Sequence, residues 1–182
     1  MKRIGTFRDL DVRPNSLVLL DIDETILYYE NINERWWKEK VDYHVQLRQC
    51  DGPEAITHAA EDWFEHIQAH LPKPTDAVGL DDLLDRIRRS NSELRFITAR
   101  NPKYKHITEL HLSHLGLGGL SGSVCYLGGA SKGKYILNNI DTDKYDSIMF
   151  IDDLEHNIAS VTEAMRDHAR LETYQFVMQV SR

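Results

Sequence analysis

The sequence contains short apolar runs that each end in a polar or acidic residue, and this pattern constrains the fold more than any other feature. The clearest runs span residues 17–20, 94–97 and 148–151. Runs of this kind are typical of strands in a parallel sheet that is covered on both faces. Residues 123–127 and 173–180 are further strand candidates. We therefore predict a sheet built from these strands.

Amphipathic helical patterns lie between the strand candidates. Apolar residues recur at helical spacing in residues 80–89, 103–115 and 155–171. Strands and helices therefore alternate, which predicts an α/β domain with a mainly parallel sheet. In such sheets ligands bind at the carboxyl ends of the strands, so the residues that follow each strand are the candidates for function.

Residues 30–77 interrupt this alternation. They separate the first strand candidate from the next helix by roughly fifty residues, which is too long for a plain crossover. The segment carries large aromatic side chains, including Trp36, Trp37 and Trp63, and residues 54–71 have a helical pattern. We predict a core domain of residues 1–29 and 78–182 with a small helical cap insertion after strand one, lying over the site. The alternative is that the insertion extends the core, because aromatic residues at helical spacing often serve packing.

Composition excludes several classes of function. The chain has 182 residues and a net charge of −7, which suits a single modest domain and disfavours nucleic-acid binding. Its apolar runs are too short to span a membrane, and residues 1–14 lack the apolar run of a secretory signal. Cys50 and Cys125 lie far apart and match neither a disulfide framework nor a zinc site. A reducing, cytoplasmic location is expected.

Two acidic pairs follow predicted strands. Asp21 and Asp23 come directly after the first strand, and Asp152 and Asp153 come at the end of another. A carboxylate can accept a phosphoryl group, and a second can transfer the protons. If the two strands are neighbours, the four carboxylates gather at one edge and favour a hard cation such as Mg²⁺. Each pair alone is weak evidence, because such residues also form turns or cap helices.

The remaining candidates carry hydrogen-bond donors and positive charge. The Thr98 hydroxyl and the backbone N–H of Ala99 could hold a phosphate at the same edge, although Thr98 could equally begin a helix. Lys132 is the candidate cation that would neutralise the nucleophile and the phosphate, with Lys134 close enough to compete.

These segments together resemble the four motifs of the haloacid dehalogenase (HAD) superfamily, in the same order and at similar spacing. Leu-Leu-Asp-Ile-Asp-Glu-Thr-Ile-Leu (19–27) resembles the first motif and Phe-Ile-Thr-Ala-Arg (96–100) the second. Ser-Lys-Gly (131–133) is similar to the third and Phe-Ile-Asp-Asp-Leu-Glu-His-Asn (150–157) to the fourth. Within the superfamily, the chain looks similar to a bacterial group, the DUF2608 family. The resemblance covers about residues 16–165.

The resemblance implies a three-layer Rossmann-like domain and a Mg²⁺-dependent phosphomonoesterase. It implies Asp21 as the nucleophile, Asp23 as the general acid and base, and Thr98 and Lys132 as phosphate-binding groups. Asp152 would bind the metal together with Asp21 and the backbone carbonyl of Asp23. Asp153 would assist in binding the metal, either directly or through water.

Alternatives remain open for the substrate of such a phosphatase and for a function other than catalysis. The insertion favours a small phosphorylated substrate, although the start of the first motif is shared with phosphatases that act on proteins. A phosphatase for nucleic-acid ends is disfavoured by the net charge. The chain could also be a binding or regulatory module that keeps the fold and has lost turnover.

Overall fold

The computed structural model describes residues 1–47, 51–168 and 170–179. A six-stranded parallel sheet forms its centre. Its strands are β1 (Lys2–Ile4), β2 (Ser16–Leu20), β5 (Glu93–Thr98), β6 (Val124–Tyr126), β7 (Ser147–Asp152) and β8 (Leu171–Phe176). Their order in the sheet is β1-β8-β7-β2-β5-β6. A separate antiparallel pair consists of β3 (Leu27–Tyr28) and β4 (Lys73–Pro74). The predicted α/β fold with a parallel sheet is confirmed.

Helices cover both faces of this sheet, which gives three layers. The helices are α1 (Glu34–Leu47), α2 (Gly52–Gln68), α3 (Ala77–Arg89), α4 (Lys105–His114), α5 (Lys132–Asn139) and α6 (Glu155–Ala164). On β2, Val18 and Leu20 pack in the cluster that includes residues of α3 and α4. Leu17 and Leu19 pack in a second cluster with residues of α5 and α6. Because side chains alternate along a strand, a continuous apolar strand is the form that suits a sheet buried on both faces.

Two predicted elements end clearly earlier than expected. The helical pattern over residues 155–171 continues to Leu171, but α6 ends at Ala164 and Leu171 begins β8, where it pairs with Ile148 of β7. The free edge of β7 needs a partner for its buried backbone groups, and this requirement outweighs the helical pattern. The strand predicted over 173–180 ends at Phe176, and Val180 lies outside the described residues.

Two helices form the insertion. The side chain of Asp51 accepts a hydrogen bond from the backbone N–H of Glu54, which caps the start of α2. Near the other end of α2, Phe64 and Ile67 are buried in the same apolar cluster as β2. The insertion therefore packs on the core, while the predicted division into a core domain and a cap over the substrate stays a prediction.

Two sequence-based expectations concern cysteines and membranes. Cys50 lies outside the described residues, so the prediction that the two cysteines form neither a disulfide nor a zinc site stays a prediction. Among the residues that are described, no helix has both the length and the apolar character that crossing a membrane requires.

Candidate active site

The site lies at the carboxyl ends of β2 and β7, which are neighbours in the sheet. Leu20 pairs with Ile151, and the backbone N–H of Asp21 donates to the carbonyl of Ile151 at 3.0 Å. Asp21 and Asp152 therefore leave the sheet side by side. The structure brings together Asp21, Asp152 and Asp153, three of the four carboxylates whose meeting was conditional on this adjacency. The side chain of the fourth, Asp23, contacts Arg100 instead.

Lys132 lies between these two carboxylates. It is the first residue of α5, and its Nζ donates to Asp152 Oδ2 at 2.6 Å and also to Asp21 Oδ1. The three side chains are 2%, 0% and 8% exposed for Lys132, Asp152 and Asp21. Lys134, in contrast to this group of buried charges, is exposed. Of the two candidate lysines, Lys132 is the one that contacts Asp21 and Asp152.

Gly133 has no side chain, so α5 can lie close to α6, in the position where Lys132 contacts Asp21 and Asp152. A Cβ atom at Gly133 would lie 2.1 Å from the carbonyl oxygen of Ser160 and 3.0 Å from the Cβ of Ala164. At the start of the same helix, the hydroxyls of Ser131 and Ser160 are 2.8 Å apart. The Ser-Lys-Gly sequence thus joins α5 to α6 on both sides of Lys132.

Gly133→Ala is expected to lower the free energy of unfolding by about 1–3 kcal/mol, because the added methyl group forces the two helices apart. Urea unfolding monitored by circular dichroism measures this change. Gly52→Ala is the matched control, since a Cβ at Gly52 meets no atom within 4 Å among the described residues. Equal stability of the two variants would contradict the proposed close packing of α5 on α6.

Asp153 completes a cluster of carboxylates. One oxygen from each of Asp21, Asp152 and Asp153 lies within 4.8 Å of the others. Burial, followed by the charge of Asp152, raises the pKa of Asp153 to about 7. Burial also raises the pKa of Asp21 well above its usual range; Lys132 opposes this rise and Asp152 adds to it. One buried ammonium group faces three carboxyl groups, so the cluster has an excess of negative charge that suits a hard cation with oxygen ligands.

Asp152 is fixed by hydrogen bonds just before α6, although it does not cap this helix, whose N-cap residue Leu154 has no side-chain capping bond. Its Oδ1 accepts from the backbone N–H of Leu154 at 2.9 Å, just before α6. Asn157 Nδ2 donates to both of its oxygens, at 3.0 and 3.2 Å. These bonds fix the orientation of the carboxylate. Asp152 is thus held at the entry to α6 without capping it, and its role in metal binding stays a prediction.

A tight turn after β2 separates Asp21 from Asp23. The backbone N–H of Ile26 donates to the carbonyl of Ile22 at 2.9 Å, and Glu24 adopts a left-handed conformation with φ 56°. Residues other than glycine rarely adopt this conformation, and it is often found at functional sites. The Asp23 side chain accepts two hydrogen bonds from Arg100. The predicted part of its backbone carbonyl in metal binding stays a prediction.

Thr98 and Ala99 end β5, the other neighbour of β2. Thr98 is fully buried, and its hydroxyl accepts from the backbone N–H of Arg100 at 3.1 Å. A hydroxyl that accepts this bond still has its own proton to donate. Ala99 is exposed at the same edge. Their predicted roles in phosphate binding stay predictions.

Arg100 is the residue that the sequence did not single out for function. It is 2% exposed and forms a two-point contact with Asp23, with Nε to Oδ2 at 2.9 Å and Nη2 to Oδ1 at 2.6 Å. Its position directly after Thr98 and Ala99, at the edge where ligands are expected, was the available signal. Its partner lies 77 residues earlier in the chain, and no local pattern indicates that contact.

A comparison with protein families finds a match over part of the chain. Residues 121–177 match a family model described as a protein of unknown function, DUF2608. A search of curated proteins finds no significant match.

Similar solved structures cover nearly the whole chain. A protein described as a β-phosphoglucomutase from Thermotoga maritima has a TM-score of 0.58 at 10% identity, covering 92% of this chain and 88% of its own. The HAD domain of effector protein Lem4 from Legionella pneumophila has a TM-score of 0.52 at 12% identity, covering 93% and 90%. At such identities the likeness concerns the fold, since one fold hosts many functions. The chain therefore has the fold of the haloacid dehalogenase superfamily, and the resemblance predicted from its four motifs is confirmed at this level.

Proposed function

We propose that the chain is a Mg²⁺-dependent phosphomonoesterase that works through an aspartyl-phosphate on Asp21. The observation that carries the proposal is the buried group of Asp21, Lys132 and Asp152 at the adjoining ends of β2 and β7. A purely structural ion pair rarely needs two buried carboxylates on one ammonium, because desolvation of each charge is costly. With a cation bound to its carboxylates, the same arrangement would suit a dianionic phosphoryl group.

In the first step, an Asp21 oxygen attacks phosphorus. The new bond joins this oxygen to phosphorus, and the bond from phosphorus to the leaving oxygen breaks. Asp23 gives its proton to that oxygen, so an alcohol departs. Lys132, the Thr98 hydroxyl and the N–H of Ala99 hold the phosphoryl oxygens, which carry the negative charge of the transition state.

In the second step, water attacks the phosphorus of the aspartyl-phosphate. The bond from phosphorus to the Asp21 oxygen breaks, and inorganic phosphate is released. Asp23, now a carboxylate, takes the proton of the attacking water and returns to its starting form. Each group of the site thereby regains its original protonation state.

The donor set of the site fits Mg²⁺, since it consists of carboxylate oxygens from Asp21, Asp152 and Asp153 that can converge on one point. The predicted ligands are these groups and the backbone carbonyl of Asp23. When bound, the cation would neutralise negative charge on the phosphoryl oxygens and on the carboxylates.

We further propose a small phosphorylated molecule as the substrate. The insertion supports this choice, because Trp63 of α2 approaches the site closely, with its ring centroid 5.5 Å from the guanidinium carbon of Arg100. A covering element at this place would limit the size of the substrate that reaches Asp21.

The chain is expected to hydrolyse p-nitrophenyl phosphate in the presence of Mg²⁺, and removal of the metal with EDTA should lower the rate by about a hundredfold or more. Dialysis into fresh Mg²⁺ should restore the rate, and release of p-nitrophenolate measures it. Failure to detect metal-dependent hydrolysis across a broad panel of phosphate esters would contradict the proposal and favour a binding module.

A further inference from the structure

A buried arginine fixes the side chain assigned to proton transfer. Arg100 is 1% exposed at its side chain, whereas Asp23 is 26% exposed. Two parallel hydrogen bonds join the guanidinium to both Asp23 oxygens, at 2.9 and 2.6 Å. A two-point contact of this kind restricts rotation of a carboxylate more than a single bond can. The exposed part of Asp23 is thereby left in a defined orientation.

The guanidinium is itself held on its other edge. Nη1 donates to Thr108 Oγ1 at 3.1 Å, and Nη2 also donates to the Tyr29 hydroxyl at 3.2 Å. Tyr29 in turn lies 2.8 Å from Nδ1 of His111. Burial, followed by the nearby charge of Arg100, lowers the pKa of His111 to about 4, so this ring is neutral near pH 7. Asp23 is therefore the charged partner of the guanidinium, and the neutral groups Thr108 and Tyr29 fix the orientation of the guanidinium plane.

Contacts from three parts of the fold converge on this guanidinium. Tyr29 follows β3, Thr108 and His111 belong to α4, and Trp63 belongs to α2 of the insertion. The Trp63 ring lies over the guanidinium carbon at 5.5 Å and makes an edge contact with the Tyr29 ring. Such a network costs desolvation and is not by itself a strong source of stability. Its geometry is better explained by the need to orient Asp23.

We propose that Arg100 is a positioning residue, which holds the Asp23 carboxyl in the orientation required for proton transfer to the leaving oxygen. This role rests on the proposed phosphatase function. Arg100 acts through Asp23 alone and does not contact the phosphoryl group. Its loss should therefore slow the formation of the aspartyl-phosphate, which kcat/KM reports, only for those substrates whose leaving oxygen needs the proton.

Aryl phosphates with leaving groups of increasing basicity test this role. For p-nitrophenyl phosphate, the leaving phenolate departs without a proton, whereas phenyl and p-methoxyphenyl phosphates need one. Arg100→Lys keeps the charge but loses the two-point contact, so kcat/KM should fall about a hundredfold for the basic leaving groups. For p-nitrophenyl phosphate the fall should be less than about tenfold. Arg88→Lys, at an exposed ion pair, is the matched control.

A double-mutant cycle with Asp23→Asn separates positioning from a general structural effect. If Arg100 acts through Asp23, the double variant should be no slower than Asp23→Asn alone. Should Arg100→Lys fail to fold, Tyr29→Phe and Thr108→Val each remove one hydrogen bond to the guanidinium and should show the same dependence on the leaving group at smaller size.

Uniform losses across the aryl phosphates, or losses that add to those of Asp23→Asn, would overturn the positioning role while leaving the phosphatase function intact. A wild-type chain that is no more active than Asp21→Asn would overturn the proposed function and this role with it.

Discussion

Asp21→Asn is expected to abolish phosphatase turnover, with a loss of about 10⁴-fold or more in kcat, because an amide cannot accept the phosphoryl group. The substitution preserves the size of a side chain that is buried beside Lys132. The backbone N–H of Asp21 would still donate to Ile151, so the end of β2 should keep its position. Initial rates on p-nitrophenyl phosphate with saturating Mg²⁺ measure the effect.

Asp81→Asn is the matched control for this experiment, since it makes the same chemical change at an exposed position of α3. Its rate should equal that of the wild type. Acid quenching of the wild type during turnover should also trap phosphate on the protein, and Asp21→Asn should trap none. Residual turnover within about tenfold of the wild type would exclude Asp21 as the nucleophile.

The strands of the sheet could be predicted because each is specified by local sequence. β2, β5 and β7 are short apolar runs, and their buried alternate faces require the two helical layers. The place of Asp21 and Asp152 at one edge followed from the same reasoning, on the condition that their strands were neighbours. The register of Leu20 with Ile151 meets that condition.

Features that depend on distant contacts could not be predicted in this way. β1 is a three-residue strand, and no apolar run marks it. Its partner β8 lies about 170 residues later in the sequence. The contact of Arg100 with Asp23 likewise depends on how β5 and the turn after β2 pack together. The end of α6 and the start of β8 were predicted wrongly, because a local helical pattern carries no information about the partner that β7 requires.

The choice between Lys132 and Lys134 could not be predicted from local sequence either, although the two residues are close together. Both residues lie in the first turn of α5, two positions apart, so the helix directs them to different sides. Only the packing of α5 on α6 decides which side faces β2 and β7. Gly133 allows that packing, which connects the glycine of the third motif to the position of the lysine before it.

Lys132→Ala is therefore expected to reduce turnover by about 10²- to 10³-fold, because it removes the cation that contacts Asp21 and would hold a phosphoryl oxygen. It should also lower the free energy of unfolding by about 3–5 kcal/mol, since Asp21 and Asp152 would be left buried without their positive partner. Rates on p-nitrophenyl phosphate and urea unfolding measure the two effects separately.

Lys134→Ala is the matched control, and its exposed side chain predicts a rate and a stability close to those of the wild type. Rates must be compared under conditions in which circular dichroism shows both variants to be folded, so that a loss of turnover is not a loss of structure. Because added Mg²⁺ brings positive charge to the same carboxylates, it should recover part of the stability lost in Lys132→Ala but little of its turnover. The reverse ranking of the two variants would place the phosphate-binding cation at Lys134 and would require α5 to rotate from its observed position.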